Sequence, residues 1–151
     1  MAAAGATTVL AFDYGMRRIG VAVGNTLTGT ADALATIAAR DGVPDWSAID
    51  RCIADWRPAA LVAGVPYNMS PGDAGLTAAS LRFADALGDR YGIEVHRVDE
   101  RLTSREAEDD LRERRRSGAK TRRVRRADID REAARVLLLE WLRGRAAASR
   151  R

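Results

Sequence analysis

Several residue types that build common active sites are nearly absent from this chain of 151 residues. The single cysteine, Cys52, excludes an intramolecular disulfide and a cysteine-rich zinc site. The single histidine, His96, disfavours a multi-histidine metal site and a Ser-His-Asp triad. A bound metal ion would therefore need oxygen ligands. We interpret Cys52 as a small core residue and His96 as structural or solvent-facing.

Long hydrophobic runs are also missing. No apolar stretch approaches the roughly 20 residues that a membrane-spanning helix needs, and residues 1–6 lack the basic and apolar regions of a secretory signal.

Aromatic residues make up only 5% of the chain, so no cluster for stacking unpaired bases is predicted, with Tyr14 and Tyr67 as the exceptions. Hydrophobic residues make up 46%, enough for a core. The composition predicts one cytoplasmic, soluble domain over residues 1–151.

Charge is unevenly distributed along the chain. Residues 1–111 carry ten basic and sixteen acidic side chains, whereas residues 112–126 carry nine basic and one acidic. Such a cationic segment attracts polyanions by neutralising phosphates and releasing counterions. We therefore predict nucleic-acid contact there, against the alternative of a solvated arginine-rich loop. The candidate contacts in this segment are Arg114, Arg115, Arg116, Lys120, Arg122 and Arg123.

Hydrophobic patterning predicts the element order β-β-β-α-β-α-β-α-α. The predicted strands are 7–13, 18–24, 28–39, 59–64 and 93–99, and the predicted helices are 44–58, 74–91, 103–115 and one from residue 128. Early strands joined by short turns suit an antiparallel meander, and helix crossovers suit strands parallel to the first. The prediction is an α/β fold with a mixed sheet and helices on its faces. Mobile parts are expected at 1–6, 116–127 and 144–151.

Carboxylates fall at places that this topology brings together. Asp13 ends the first strand, Asp99 and Glu100 end the last, and Asp128 and Asp130 open the final helix. The carboxyl ends of parallel strands share one sheet edge, where sites form in open α/β sheets. Three clustered carboxylates repel one another unless a cation lies between them, and oxygen ligands suit Mg²⁺ or Mn²⁺. One or two such ions can promote phosphodiester displacement. A solvated strand end or a helix cap is the alternative for each acid.

Four motifs resemble those of the YqgF/RuvX family, in order and over residues 8–142. They are FDYGMRRIGVAV at 12–23, VAGVPYNM at 62–69, DERLTS at 99–104, and Asp130 followed by Ala133, Ala134 and LLLE at 137–140. That family is related to the RuvC Holliday-junction resolvases. The resemblance implies an RNase H-like fold with helices on both faces of the sheet. Met16, Gly24-Asn25 and Ser70-Pro71 depart from the usual pattern, but no proposed carboxylate is lost.

The resemblance also implies a nuclease that trims the 5′ end of pre-16S ribosomal RNA. Asp13, Glu100 and Asp130 would be the catalytic residues and the ligands of Mg²⁺ or Mn²⁺. Arg18 and Arg101 would contact phosphate or hold the carboxylates in place. Asn68 would touch the nucleic acid or brace its own loop. The implied partners are the rRNA precursor and the assembling small ribosomal subunit, and the expected state is a monomer or weak homodimer.

Two other functions stay open at this point. The same chemistry on branched DNA would make the protein a Holliday-junction resolvase, which normally acts as a symmetric dimer. Alternatively, the chain would be a non-catalytic RNA- or transcription-associated factor, although all three carboxylates are present. An actin-like phosphotransferase, whose first turn resembles Asp13-Tyr14-Gly15, is disfavoured because it needs two such domains.

Overall fold

A computed structural model describes residues 7–66, 74–99 and 126–149 of the chain. These residues form six strands and three helices. In chain order they are β1 (Thr8–Asp13), β2 (Arg18–Asn25), β3 (Thr30–Arg40), β4 (Val43–Pro44), α1 (Trp46–Trp56), β5 (Ala60–Val65), α2 (Ala74–Tyr91), β6 (Glu94–Asp99) and α3 (Arg126–Ser149). The helix predicted over 103–115, the mobile segment predicted at 1–6 and residues 116–125 of the mobile loop predicted over 116–127 lie outside the described residues. The last two residues of that predicted loop, Arg126 and Ala127, belong to α3 instead.

The strands form one mixed sheet in the order β4-β3-β2-β1-β5-β6. β1 pairs antiparallel with β2, and β2 pairs antiparallel with β3. β5 runs parallel to both β1 and β6, so that Val62 pairs with Ala11 on one side and His96 on the other. This arrangement confirms the predicted sheet. It also places the carboxyl ends of β1, β5 and β6 on one edge.

Two hydrophobic layers cover the two faces of the sheet. Leu10 and Phe12 of β1 point to the face that α1 and α2 cover, whereas Val9 and Ala11 point to the face that α3 covers. This alternation is the period of two that a strand imposes on its side chains. Each face buries its own apolar side chains, so the prediction of helices on both faces is confirmed.

α3 packs directly on the backbone of β2. A Cβ atom added at Gly20 would overlap the main-chain oxygen of Asp130, and one added at Gly24 would lie 2.8 Å from Leu138 Cδ2. Ala22, between them on the same face, is fully buried in the α3 layer. The small side chains on this face of β2 therefore let the helix approach the sheet closely.

Several predicted details were wrong. Gly15 is free to take a positive φ in the turn after β1, but the glycines with positive φ in the described ranges are Gly29, Gly42 and Gly92. A Cβ at Gly15 would instead lie 2.6 Å from the main-chain oxygen of Arg18, so close approach in the turn explains the glycine. Trp56 was placed on the apolar face of its helix but is 42% exposed, because that face ends at Ile53.

Helix and strand ends also differ from the predictions. The short strand β4 was missed, because two residues give no periodic signal, and Pro44 belongs to it rather than to the helix. Asp45 caps α1 by accepting a hydrogen bond from the Ala48 N–H. The final helix was expected to fray beyond Arg143, but it continues to Ser149. Its alanine-rich end has high helix propensity.

Cys52 and His96 have the structural surroundings that were predicted. Cys52 packs against the α1–α2 layer, and burial raises the pKa of its thiol. The His96 ring centroid lies 5.0 Å from that of Trp141, and its Nε2 atom is 3.4 Å from the Glu94 carboxylate. In the part of the chain that the structure describes, no helix is long and apolar enough to cross a membrane.

An exposed polar network joins α1 to α2. Asp50 accepts hydrogen bonds from Arg90 Nε at 3.0 Å and Nη2 at 2.9 Å, and from the Tyr91 hydroxyl at 2.6 Å. The Arg90 hydrogen bonds and then that of Tyr91 lower the pKa of Asp50 to about 2. The Arg90 guanidinium also lies 5.0 Å from the centre of the Trp46 ring. The network thus links both helices on the face opposite α3.

The first prediction concerns the contact between β2 and α3. We expect Gly20→Ala to lower the free energy of unfolding by about 1–3 kcal/mol or more, because the new methyl group meets backbone that cannot rotate away. The matched control is Gly144→Ala in α3, where a Cβ meets nothing within 4 Å. It should stabilise the protein by up to about 1 kcal/mol. Urea unfolding checks both, and an unchanged midpoint for Gly20→Ala would contradict the packing.

The second prediction concerns acid stability. The Asp50 pKa is lowered on folding, so its contribution is present above the unfolded value of about 3.9 and is lost as the pH falls toward 2. Asp50→Asn should therefore lower the urea midpoint at pH 6 and change it less at pH 2.5. Asp55→Asn removes the same charge from α1 without touching the network. Equal effects of the two variants at both pH values would refute this role for Asp50.

Candidate active site

Asp13 is the last residue of β1, at the sheet edge where the parallel strands end. The preceding run of apolar residues is fully buried, which fixes the register of the strand. Alternation puts Asp13 on the same face as Val9 and Ala11, under α3. Its register partner on β2 is Gly20. The carboxylate is therefore carried by a rigid strand and is half-buried at its end.

Asp130 reaches the same point from α3. The main-chain oxygen of Asp130 lies where a side chain at position 20 would be. Gly20 is thus flanked by Asp13 across the β1–β2 pair and by Asp130 above it. Two of the three predicted ligands are brought to one place, although 117 residues separate them in the sequence.

Arg18 joins this pair of acids. Its Nε atom donates a hydrogen bond to Asp130 Oδ2 at 2.8 Å. Arg18 lies two residues before Gly20, so it shares the α3 face of β2. The side chains are 34% and 25% exposed, which leaves the pair open to solvent on one side. Arg18 thus joins β2 to α3 beside Asp13, and its role at a catalytic site stays a prediction.

Asp99 ends β6, but it lies on the face of the sheet opposite to that of Asp13. Val98 packs into the α3 layer, whereas Val95 packs into the α1–α2 layer. Arg97 forms an ion pair with Asp85 of α2. Asp99 is two residues beyond Arg97 and therefore lies on the α2 face. The acid at the end of β6 is thus directed away from the face that carries Asp13.

The other acids near the start of α3 are paired within the helix. Asp128 is buried and accepts a hydrogen bond from Arg131 Nη2 at 2.5 Å. Glu132 is buried as well and accepts one from Arg135 Nε at 2.7 Å. Both are i,i+3 pairs, which side chains on one helix face can form. Asp130, between them in sequence, reaches across to β2 instead.

The turn after Asp13 is held by a long-range contact that the sequence analysis did not predict. The Tyr14 hydroxyl donates to the Gly42 carbonyl at 2.5 Å, and the Gly42 N–H donates to the Met16 carbonyl at 3.0 Å. Burial raises the pKa of Tyr14. Gly42 has a φ of 84°, which favours glycine. The Asp-Gly pair at 41–42 is a turn signal that could have indicated this turn, but not its partner.

The remaining site predictions lie outside the described residues. They are Asn68, Glu100, Arg101, Arg114, Arg115, Arg116, Lys120, Arg122 and Arg123, together with Tyr67. Within residues 7–66, 74–99 and 126–149, no group of three histidine, cysteine or acidic side chains could hold a metal ion. The described part of the site therefore consists of Asp13, Asp130 and Arg18 around Gly20.

The fold is similar to that of a protein whose structure has been solved. The structure is similar to Thermus thermophilus RuvC in complex with a Holliday junction substrate, with a TM-score of 0.57 and 15% sequence identity. The alignment covers 93% of this chain and 96% of that one. The sheet order, the mixed strand directions and this similarity define the RNase H-like fold that was predicted.

Sequence comparisons identify the family. The family model RuvX, described as Holliday junction resolvase, matches residues 7–144. A relative from Histophilus somni strain 2336, named "Putative pre-16S rRNA nuclease", is 41% identical over 89% of this chain and 92% of its own. A relative of the same name from Coxiella burnetii strain Dugway 5J108-111 is 45% identical over 88% and 90%. The chain belongs to the RuvX family and is a nuclease, as the sequence motifs predicted.

Proposed function

We propose that this protein is a divalent-metal-dependent nuclease that trims the 5′ end of pre-16S rRNA. The observation that supports the site is the convergence of Asp13 and Asp130 on Gly20, at the carboxyl edge of the parallel strands. The names of the relatives support the substrate. Such a role would make the assembling small subunit a partner and the cytoplasm the place of action. We propose one domain for residues 1–151.

Glu100 completes the proposed set of ligands. It is the glutamate of the DERLTS motif at 99–104, and its neighbour Asp99 lies on the α2 face, away from Asp13, which makes Asp99 the weaker candidate. The donors are then all carboxylate oxygens, which fits Mg²⁺ or Mn²⁺. When bound, one or two such ions would activate the attacking water and stabilise charge on the phosphate oxygens.

The chain's own residues have separate tasks in this proposal. Asp13 fixes one side of the site because a fully buried strand carries it. Arg18 holds Asp130 by its Nε hydrogen bond, and its remaining N–H groups can donate to a substrate phosphate. Arg101 and Asn68 belong to the motifs that follow β6 and β5 in the sequence, and we assign them contacts with the nucleic acid.

The third prediction tests the nuclease and its ligands. A 5′-end-labelled, 5′-extended pre-16S RNA is incubated with the protein and Mg²⁺ or Mn²⁺, or with chelator. We expect cleavage that chelator abolishes. Asp13→Asn, Glu100→Gln and Asp130→Asn should each reduce the rate by more than the roughly 10- to 100-fold that changes around a metal's ligands cost. Folding of each variant is checked by circular dichroism.

Asp99→Asn is the matched control, since it removes a neighbouring carboxylate that lies on the opposite face. It should retain activity close to that of the unchanged protein. A four-way DNA junction is assayed in parallel because the family description and the RuvC similarity favour branched DNA as the second candidate. Cleavage of the junction alone would replace the RNA proposal, and equal cleavage by Asp13→Asn would reveal a contaminant.

The fourth prediction concerns the cationic segment 112–126. We propose that it supplies sequence-independent affinity through phosphate contacts. Replacing Arg114, Arg115, Arg116, Lys120, Arg122 and Arg123 with glutamine should weaken binding to all RNAs and flatten the salt dependence. The expected loss of slope in log K against log[salt] is up to about 0.7 per phosphate contact for single strands. Replacing the exposed Arg51 and Arg57, which lie on and just after α1, measures the effect of each positive charge removed outside the segment. An unchanged slope in the segment variant would refute the contacts.

A further inference from the structure

A cavity of about 330 Å³ lies behind the turn that follows Asp13. It is lined by that turn, by the turn between β3 and β4, by the first residue of α1 and by the middle of α2. The residues that define its shape are Tyr14, Met16, Trp46, Arg82, Phe83 and Ala86. We call it the Tyr14 cavity. It is separate from the carboxylate site, which lies on the other face of the sheet.

Aromatic rings form its inner wall. The Tyr14 and Phe83 ring centroids are 5.0 Å apart, and those of Trp46 and Phe83 are 5.8 Å apart. At the cavity mouth, Met16 is 46% exposed and Val43 is 64% exposed. Solvent thus has access to apolar side chains that lead to a buried aromatic wall. Such a surface suits a flat apolar ring.

Two polar groups line the same cavity. Arg82 lies on the α2 side and Asp41 on the side of the β3–β4 turn. Arg82 is close enough to Tyr14 for its positive charge to act on the hydroxyl. Burial raises the pKa of Tyr14, and the charge of Arg82 partly lowers it again. A ring that carries both hydrogen-bond donors and acceptors on its edge can use both groups. Nucleobases have such edges, whereas the apolar side chains of a protein partner do not.

The cavity is next to the proposed reaction centre. Asp13 and Tyr14 are consecutive, and they point to opposite faces at the same sheet edge. The turn that separates the two places carries the exposed Arg17, whose positive charge favours the passage of a polyanion. A strand with a phosphate at Asp13 could therefore turn an adjoining base around this edge.

We propose that the Tyr14 cavity binds one unpaired nucleobase of the RNA substrate, next to the phosphodiester that is cut. The inference rests on the proposed function and adds a subsite to it. It makes the enzyme selective for strands that can release a base from pairing. The turn contact between Tyr14 and Gly42 would serve to hold the wall of this subsite as well as the end of β1.

The fifth prediction uses RNA binding rather than cleavage. All variants carry Asp13→Asn, so that the RNA stays intact, and two RNAs are compared: a duplex with a 5′ single-stranded tail and the same duplex with blunt ends. Ala86→Leu fills the cavity, and Arg82→Gln removes its cation. Each should weaken binding of the tailed RNA by about 5- to 150-fold, the range for loss of one base–aromatic stack. Binding of the blunt duplex, which offers mainly phosphates, should change less than about twofold.

Matched controls lie on the same two helices. Ala78→Leu adds the same bulk at an exposed position of α2 outside the cavity, and Arg51→Gln removes an exposed cation from α1. Both should leave the preference for tailed RNA unchanged. Abasic substitutions along the tail then identify the bound base. Its removal should weaken binding by the parent protein and cancel the effect of Ala86→Leu.

The outcomes separate this inference from the proposed function. If the protein with Asp13 restored cuts RNA but Ala86→Leu and Arg82→Gln keep the full preference for the tail, the cavity subsite is wrong and the nuclease stands. If the variants weaken tailed and blunt RNA equally, the cavity does not bind a base. If the parent protein binds neither RNA, both proposals fail. If Ala86→Leu does not fold, the test relies on the binding of tailed and blunt RNA by Arg82→Gln, which changes an exposed side chain.

Discussion

The geometry of the candidate site depends on one contact between two backbones, that of Gly20 in β2 and that of Asp130 in α3. Because position 20 has no side chain, the helix can lie against the strand at the point where β1 ends. Gly20 is also the register partner of Asp13, so one missing Cβ brings the two acids together. Ala22 and Gly24 extend the close approach along the helix. With larger residues there, both acids would remain in the chain but would be held apart.

Strand alternation and local ion pairs decide which acids take part in this site. Asp13 and Asp99 end parallel strands at one edge, yet they point to opposite faces, so proximity in the sheet is not sufficient. In α3, Asp128 and Glu132 are neutralised by arginines of their own helix, whereas Asp130 is paired with Arg18 of β2. The acid held across the helix–sheet interface is the one suited to act with Asp13, and its neighbours stabilise the helix that carries it.

Much of the fold could be predicted from the sequence because its signals are local. Apolar runs mark the buried strands, and the period of α2 gives its range of 74–91 together with the stop at Gly92. The contacts that complete the site are long-range. Nothing local shows that Gly20 faces Asp130, or that Tyr14 binds the carbonyl of Gly42 across 28 residues. For the same reason, spacing alone could not choose between Asp128 and Asp130, and it took motif resemblance to favour Asp130.

The distribution of charge indicates why chemistry and affinity reside in different parts of the chain. A site built from carboxylates repels phosphate, and residues 1–111 carry a net charge of −6. Arg18 offsets the negative charge of Asp130 at this site. Nucleic acid therefore needs further cations to approach, and we propose that residues 112–126, with a net charge of +8, supply them. Because phosphate contacts do not distinguish substrates, selectivity must arise nearer the cut bond. The aromatic cavity behind Asp13 lies where such selectivity could act.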